Sequence, residues 1–345
     1  MLGYAQDDFR QVTIIIPMRN EESHIAQCLD SILSNDYPHE QVEVLVIDGM
    51  SMDRSRDIVK DYCRRYPFIR LLDNPRRIAP TALNIGLREA HGDIIMRMDA
   101  HTVYAPDYIR QCVTLLKERG AANVGGNQRP IGNNYITNAI AFATSSPFGV
   151  GDAKFRYAER EMWVDTVYLG SWYKTTLEAI GGFDEEWVVN QDYELNYRLQ
   201  KAGGRILLSP RIRCYYHVRG SLRKLARQYF RYGMWKVKTL IRHPESLRWR
   251  QLVAPSLVAG LLLSLALVVY GSAVGWVIPV TYLIASLAFS AGISLKKGLH
   301  YLPILPVTFL TIHLSWGLGF YAGLLRFGVP KISLFVFLRD LLGKG

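Results

Sequence analysis

The sequence predicts an α/β fold, a mostly parallel sheet flanked by helices, followed by an interfacial helix and C-terminal transmembrane helices. Three observations carry this. From Val12 to Met98 short apolar runs alternate with segments of helical periodicity, the cadence of parallel strands joined by helical crossovers. Between Arg219 and Arg250 many Arg and Lys residues are interleaved with apolar and aromatic ones at helical spacing. Beyond Leu252 charge vanishes from three long apolar stretches.

Val12 to Ile16 is a fully apolar strand run apart from Thr13, and Glu21 to Leu33 repeats its apolar residues as an amphipathic helix does. Val42 to Ile47 is a second strand, Ser55 to Tyr66 a helix, Ile69 to Leu72 a third strand, Ala79 to Ala90 a helix and Asp93 to Met98 a fourth strand. Sheets of this kind bind ligands beyond the carboxyl ends of their strands. The residues after Ile16, Ile47 and Met98 are therefore the place to look for chemistry.

Composition narrows the classes. The 345 residues carry 41 Lys and Arg against 30 Asp and Glu, a formal net charge of +11, yet 49% are hydrophobic. That apolar content excludes a disordered basic tail or nucleic-acid arm. Cys28, Cys63, Cys112 and Cys214 are scattered without a Cys-x-x-Cys pair, so neither a zinc knuckle nor a disulfide scaffold is expected, and a reducing compartment is.

Leu252–Ser272, Ala273–Ile293 and Tyr301–Leu325 contain no Asp, Glu, Lys or Arg, and each approaches the roughly 20 residues of a membrane-spanning helix. The basic run 219–250 is expected to lie in the interface before them. This divides the chain into a globular domain over 1–218, the interfacial region 219–250 and a transmembrane region 251–345. The N-terminal residues carry Asp7 and Asp8 and no apolar signal core, so the globular domain is expected on the cytosolic side of a multi-pass protein of the cell's inner membrane. Arg242, Arg248 and Arg250 before the first segment, and Lys296 and Lys297 after the second, fit out-and-back passage. The third segment is ambiguous. A full crossing would put Arg326, Lys331, Arg339 and Lys344 outside, so a re-entrant course broken by Pro303 and Pro306, or a further pass through Ile332–Leu338, are both open.

Three strand ends carry polar clusters: Pro17-Met18-Arg19-Asn20-Glu21-Glu22, Asp48-Gly49, and Asp99-Ala100-His101. Any one could be a helix cap or a turn. Asp99 and His101, two residues apart past a strand, can converge on a divalent cation at a diphosphate. Asp192 follows the turn Gly181-Gly182-Phe183-Asp184 and opens a helix whose dipole favours its ionised form, as a general base requires.

The order Ile16-Pro17-x-x-Asn20-Glu21-Glu22, Asp48-x-x-Ser51-x-Asp53, Asn84-x-Gly86 with Gly92-Asp93, Asp99-x-His101, Gly181-Gly182-Phe183-Asp184 and Gln191-Asp192-x-Glu194-Leu195 resembles family 2 glycosyltransferases of the GT-A nucleotide-sugar fold. The likeness covers about residues 10–235 and is strongest to the membrane-bound bacterial enzymes of succinoglycan and other exopolysaccharide assembly. It implies nucleotide-sugar contacts at Pro17, Arg19, Glu21, Asp48, Asn84, Asp93 and Asp99. It further implies Asp99, His101 and His217 as ligands of a divalent metal, Mn or Mg, and Asp192 as the base. Gln228-Tyr229-Phe230-Arg231-Tyr232 resembles the family's Gln-x-x-Arg-Trp, which puts Gln228 and Arg231 at the diphosphate and Tyr232 and Trp235 at the acceptor. Three positions depart from the pattern: His101 for the second Asp of Asp-x-Asp, Gln191 for a Glu, and Tyr232 for Trp.

The activity implied is inverting transfer of a hexose from a UDP-sugar to a polyprenyl-diphosphate-linked saccharide, without nucleic acid as a partner. A polyprenyl-phosphate sugar synthase and a non-catalytic nucleotide-sugar-binding scaffold are the alternatives.

Overall fold

The computed structural model describes residues 10–332. Asp7, Asp8, Arg339, Lys344 and nearly all of the 332–338 pass lie outside them. In chain order the first elements are β1 (Val12–Met18), α1 (Ile25–Leu33), β2 (Val42–Asp48), α2 (Ser55–Arg65), β3 (Ile69–Asp73), α3 (Ala79–Glu89) and β4 (Ile94–Arg97). Next come β5 (Thr102–Tyr104), α4 (Tyr108–Arg119), β6 (Asn123–Ile131), α5 (Tyr135–Thr144), α6 (Pro147–Val150), β7 (Met162–Val164), β8 (Tyr168–Tyr173), α7 (Lys174–Ala179), α8 (Gln191–Lys201) and β9 (Ile206–His217). The helices α9 (Leu222–Arg242), α10 (Arg250–Val269), α11 (Val277–Lys297) and α12 (Ile304–Phe327) complete it.

The chain divides into two units, one of residues up to 129 with 157–217, the other of 130–156 with residues from 218 onward. The segment 130–156, which the sequence reading keeps within the first 218 residues, packs with the second unit.

In the first unit nine strands form one sheet, ordered β3-β2-β1-β4-β8-β6-β9-β5, with β7 beside β9. The strands β3, β2, β1 and β4 are parallel, and β8 enters antiparallel against β4. Alternate side chains of β1, Val12, Ile14 and Ile16 on one face and Thr13 and Ile15 on the other, are all fully buried, because helices cover both faces. Close helix-on-strand packing explains Gly86: a Cβ there would stand 2.4 Å from Ile15 Cγ2. Asp48 ends β2, and Asp99 follows β4 by two residues, so the parallel register brings both to the carboxyl edge.

In the second unit three helices are long and apolar enough to cross a membrane: α10, α11 with the turn before it, and α12. His313 of α12 lies 2.9 Å from Tyr282 Oη and 2.8 Å from the Phe148 carbonyl, joining α12 to α11 and α6. Bonds of this kind are how polar side chains are accommodated between apolar helices.

Candidate active site

The site is built on the carboxyl edge of the parallel strands. The loops after β1 and β2 are laced together by short polar side chains. The Asn20 and Glu21 amides donate to Ser51 Oγ at 2.8 Å and Ser55 Oγ at 2.7 Å, and the Met52 amide donates to Asn20 Oδ1 at 2.9 Å. Asn20 and Met50 adopt positive φ of 55° and 58°, a region Asn tolerates better than most residues. Asp48 is fully buried beneath these loops and accepts from Ser51 Oγ at 2.5 Å and Arg56 Nη1 at 2.6 Å. Arg56 also reaches Asp73 at 2.7 Å, and the two carboxylates hold its guanidinium above its ordinary pKa. Asp48 thus braces the rim.

At the end of β4 the Arg97 guanidinium, nearly buried, joins two carboxylates. Its Nε and Nη2 donate to Asp99 Oδ1 at 3.1 Å each, and Nη1 donates to Asp192 Oδ1. The Tyr168 hydroxyl donates to Asp99 Oδ2 at 3.2 Å, and the Asp99 amide donates to Tyr104 Oη at 2.7 Å. Burial works to raise the pKa of Asp99, but Arg97, His101 and Tyr168 outweigh it and the carboxyl lies below its usual range. Asp192 goes the other way: burial raises its pKa and nearby Asp99 adds to that, with Arg97 opposing. The helix start alone was expected to favour the ionised form, and desolvation overrides it.

Asp192 occupies the first turn of α8, and the fold fixes that turn from behind. Glu194, buried, pairs with Arg198 at 2.7 Å; Arg198 also donates to the carbonyls of Ile180 at 2.5 Å and Gly182 at 2.8 Å. Asn84 clamps the same turn, donating to the Phe183 carbonyl at 2.8 Å and Glu185 at 3.0 Å while accepting from the Phe183 amide at 2.9 Å. Gly181 and Gly182 have φ of 79° and 66°, which only glycine takes without strain. The amide of Asn84, expected at the donor, bonds to this turn. Asp93 is also displaced from expectation. It precedes β4, pairs with Arg10 at 3.9 Å, and is separated from the Asp99 end by the four residues of that strand, about 13 Å of extended chain.

Beside Asp99 runs a chain of imidazoles and one carboxylate. His101 Nδ1 and Glu21 Oε1 lie 3.2 Å apart, Glu21 Oε2 and His24 Nδ1 3.5 Å, and the His24 and His217 rings have centroids 5.3 Å apart. Burial lowers the pKa of His217, helped by His24 and His101. Among the described residues no three or more His, Cys, Asp or Glu side chains surround a common point as metal ligands. A cation that takes one or two carboxylates and fills its shell from phosphate oxygens needs no such cluster. Pro17 is the penultimate residue of β1, and Arg19, exposed, follows the strand. Gln228, Arg231, Tyr232 and Trp235 belong to α9 of the second unit, where Gln228 Nε2 donates to Tyr232 Oη at 2.8 Å.

Sequence reasoning missed Arg97, Tyr168 and His24. Arg97 did leave a signal, a lone cation ending the apolar run Ile94-Ile95-Met96; Tyr168 and His24 left none.

The parallel strands, covered on both faces, end at an edge where Arg97 joins Asp99 to Asp192 of α8. The glycosyl transferase family 2 model matches residues 13–157 and the glycosyl transferase family group 2 model residues 94–339, and the chain belongs to glycosyltransferase family 2. It is 32% identical over 319 residues to the succinoglycan biosynthesis protein ExoA of Rhizobium meliloti, covering 91% of this chain and 95% of the relative. It is 27% identical over 323 residues, 91% and 97% of the two chains, to a Methanococcus voltae enzyme named dolichyl N-acetyl-alpha-D-glucosaminyl phosphate 3-beta-D-2,3-diacetamido-2,3-dideoxy-beta-D-glucuronosyltransferase. A mannosyltransferase from Pyrobaculum calidifontis, solved with GDP-Man and Mn2+, shares the fold with a TM-score of 0.61 at 22% identity, over 89% of this chain and 87% of that one.

Proposed function

We propose that the protein is an inverting hexosyltransferase that moves a sugar from a UDP-sugar to a polyprenyl-diphosphate-linked saccharide at the cytosolic membrane face, in exopolysaccharide or glycan assembly. The observation that carries this reading is the Arg97 guanidinium tying Asp192 to Asp99, which sets a base candidate beside a diphosphate-site carboxylate. The names of the relatives support the pathway class, one being a succinoglycan biosynthesis protein and the other acting on a dolichyl-phosphate-linked sugar.

Asp192 takes the proton of the acceptor hydroxyl, that oxygen attacks the anomeric carbon, and the bond to the nucleoside diphosphate breaks on the opposite side. Arg97 holds the Asp192 carboxylate in place and balances its charge when the base is ionised. Glu21, Asn20 and the Ser51 loop border the nucleotide, with Pro17 and Arg19 beside them. Asp99 and His101, with His217 as a further donor, would hold a divalent metal, which when bound would neutralise charge on the departing diphosphate. The roles of Gln228 and Arg231 toward that diphosphate, and of Tyr232 and Trp235 toward the acceptor, are carried by the family pattern.

The test is transfer from a panel of UDP-sugars and GDP-mannose to polyprenyl-diphosphate-sugar by detergent-purified protein, with Mn2+ or Mg2+. Transfer from a UDP-sugar that falls about 10²–10⁴-fold in Asp192→Asn supports the reading. Retained activity in that variant with a bare polyprenyl phosphate would point instead to a phosphate oxygen as nucleophile, which needs no base.

A further inference from the structure

We propose that α12 lies in the plane of the membrane interface, held along the basic helix α9, and does not cross the bilayer, so that both of its ends stay on one side of the membrane. The inference rests on the reading that the second unit is membrane-embedded.

The two helices run side by side in the same direction over their length. Leu225 and Tyr229 of α9 share an apolar cluster with Leu305, Phe309 and Ile312 of α12. Further along, Val237 and Leu240 share another with Phe320, against which Trp316 and Leu324 pack. The Trp235 and Phe327 rings stand 5.9 Å apart. Between these clusters the backbones touch through glycines. A Cβ on Gly319 would stand 2.0 Å from the Phe230 carbonyl oxygen, one on Gly233 2.0 Å from that of Trp316, and one on Gly323 2.6 Å from that of Met234. With so close an approach, α12 cannot tilt away from α9.

Along that shared length α9 carries Arg227 and Lys238, with Arg242 at its end, none of them buried. If α12 crossed, these cations would be drawn through the hydrocarbon with it, and charged side chains are strongly disfavoured there. At the interface the same cations meet anionic headgroups.

The pattern of exposed apolar residues agrees. On α12 the exposed large apolar side chains are Val307, Leu310, Leu318 and Leu325, which at about 100° per residue fall within an arc of about 80°. A single apolar stripe is what a helix lying in the interface presents to lipid. The helices α10 and α11 instead expose apolar side chains over wide arcs, among them Val253, Leu263 and Leu265 on α10 and Ile278, Leu283 and Phe289 on α11, as segments surrounded by lipid do. An in-plane α12 also keeps Lys296 and Lys297 before it and Arg326 and Lys331 after it on one face, in accord with the positive-inside rule. The sequence pattern had left this point open.

The test is thiol accessibility in the full chain carrying Cys63→Ser, the other three native thiols being buried. Lys296→Cys, Lys331→Cys and Ala273→Cys are introduced singly, all at exposed positions, and treated with a membrane-impermeant maleimide in sealed vesicles of known orientation, before and after permeabilisation. The expected result is that Lys296→Cys and Lys331→Cys label from the same side. Labelling of these two from opposite sides overturns the proposal. Ala273→Cys tests the α10–α11 hairpin separately. If all three sites label from one side, the hairpin is not a double crossing while the in-plane placement of α12 stands. A chain released from membranes by carbonate overturns the placement together with the membrane reading beneath it.

Discussion

Arg97 stands between two carboxylates whose titrations are pushed apart, Asp99 downward and Asp192 upward. Burial is the common pressure on both. The difference is that Asp99 gathers Arg97, His101 and Tyr168 around it, whereas Asp192 has the Asp99 charge working against its ionisation. A base works only when ionised, so activity is lost as pH falls through the pKa of Asp192, above the ordinary Asp value of about 3.9. Replacing Arg97 removes a charge that favours the Asp192 anion. In Arg97→Met the acid limb of the kcat profile is expected to move to higher pH, with Arg97→Lys returning part of the shift; an unmoved limb in Arg97→Met would separate Arg97 from the base. The same substitution strands Asp99 without its ion pair, a loss of about 3–5 kcal/mol for a buried pair broken on one side. Chemical denaturation of the two variants measures it, and Arg97→Lys is expected to retain more stability than Arg97→Met. The sequence singled out Asp99, His101 and Asp192 because strand ends and a glycine turn announced them. The bond from Asn84 to the turn was not legible, since the Phe183 carbonyl lies 99 positions away in the chain.

Among the elements, the α9–α12 pair shows how small residues decide packing that hydropathy leaves undetermined. The sequence marks α12 as one more apolar stretch, yet its glycines bring it into backbone contact with a basic helix. Gly319→Val is expected to force the pair apart, because the clashing atom is the Phe230 carbonyl oxygen and no rotamer relieves it. Overpacking of this kind costs about 1–3 kcal/mol. Thermal unfolding in detergent should show a lower Tm for Gly319→Val and an unchanged one for Leu318→Val, whose parent side chain is exposed. Equal Tm values for both variants would mean that the helix pair does not depend on that contact. In the first unit, β1, β2, β3 and β4 were legible within one or two residues, since each is a short apolar run bounded by polar turns. The antiparallel half, β5 to β9, was not assigned from the sequence: β5 and β7 have three residues each, too few to give a period.

At the scale of the whole molecule, the described residues do not gather three or more ligand side chains around a common point, so cation binding is expected to depend on a diphosphate arriving with it. Mn2+ alone should leave Tm unchanged, while Mn2+ with UDP raises it, by about 2.7 kcal/mol of stabilisation at a hundredfold excess over Kd. A rise with Mn2+ alone would show a ligand set complete without nucleotide. The amino-acid sequence by itself determined the α/β class, the order along the chain of the first four strands and their helices, and the apolar C-terminal helices. Those properties rest on local periodicity and on charge counted along the chain. Only the tertiary structure decided that Arg97 binds Asp192 to Asp99, that Asn84 holds a turn, that Asp93 faces the other end of β4, and that α12 is paired with α9. Each of these depends on which residues, distant in sequence, come within a few ångströms of one another. Hydrogen bonds, ion pairs and desolvation act over that distance, and periodicity carries no record of it.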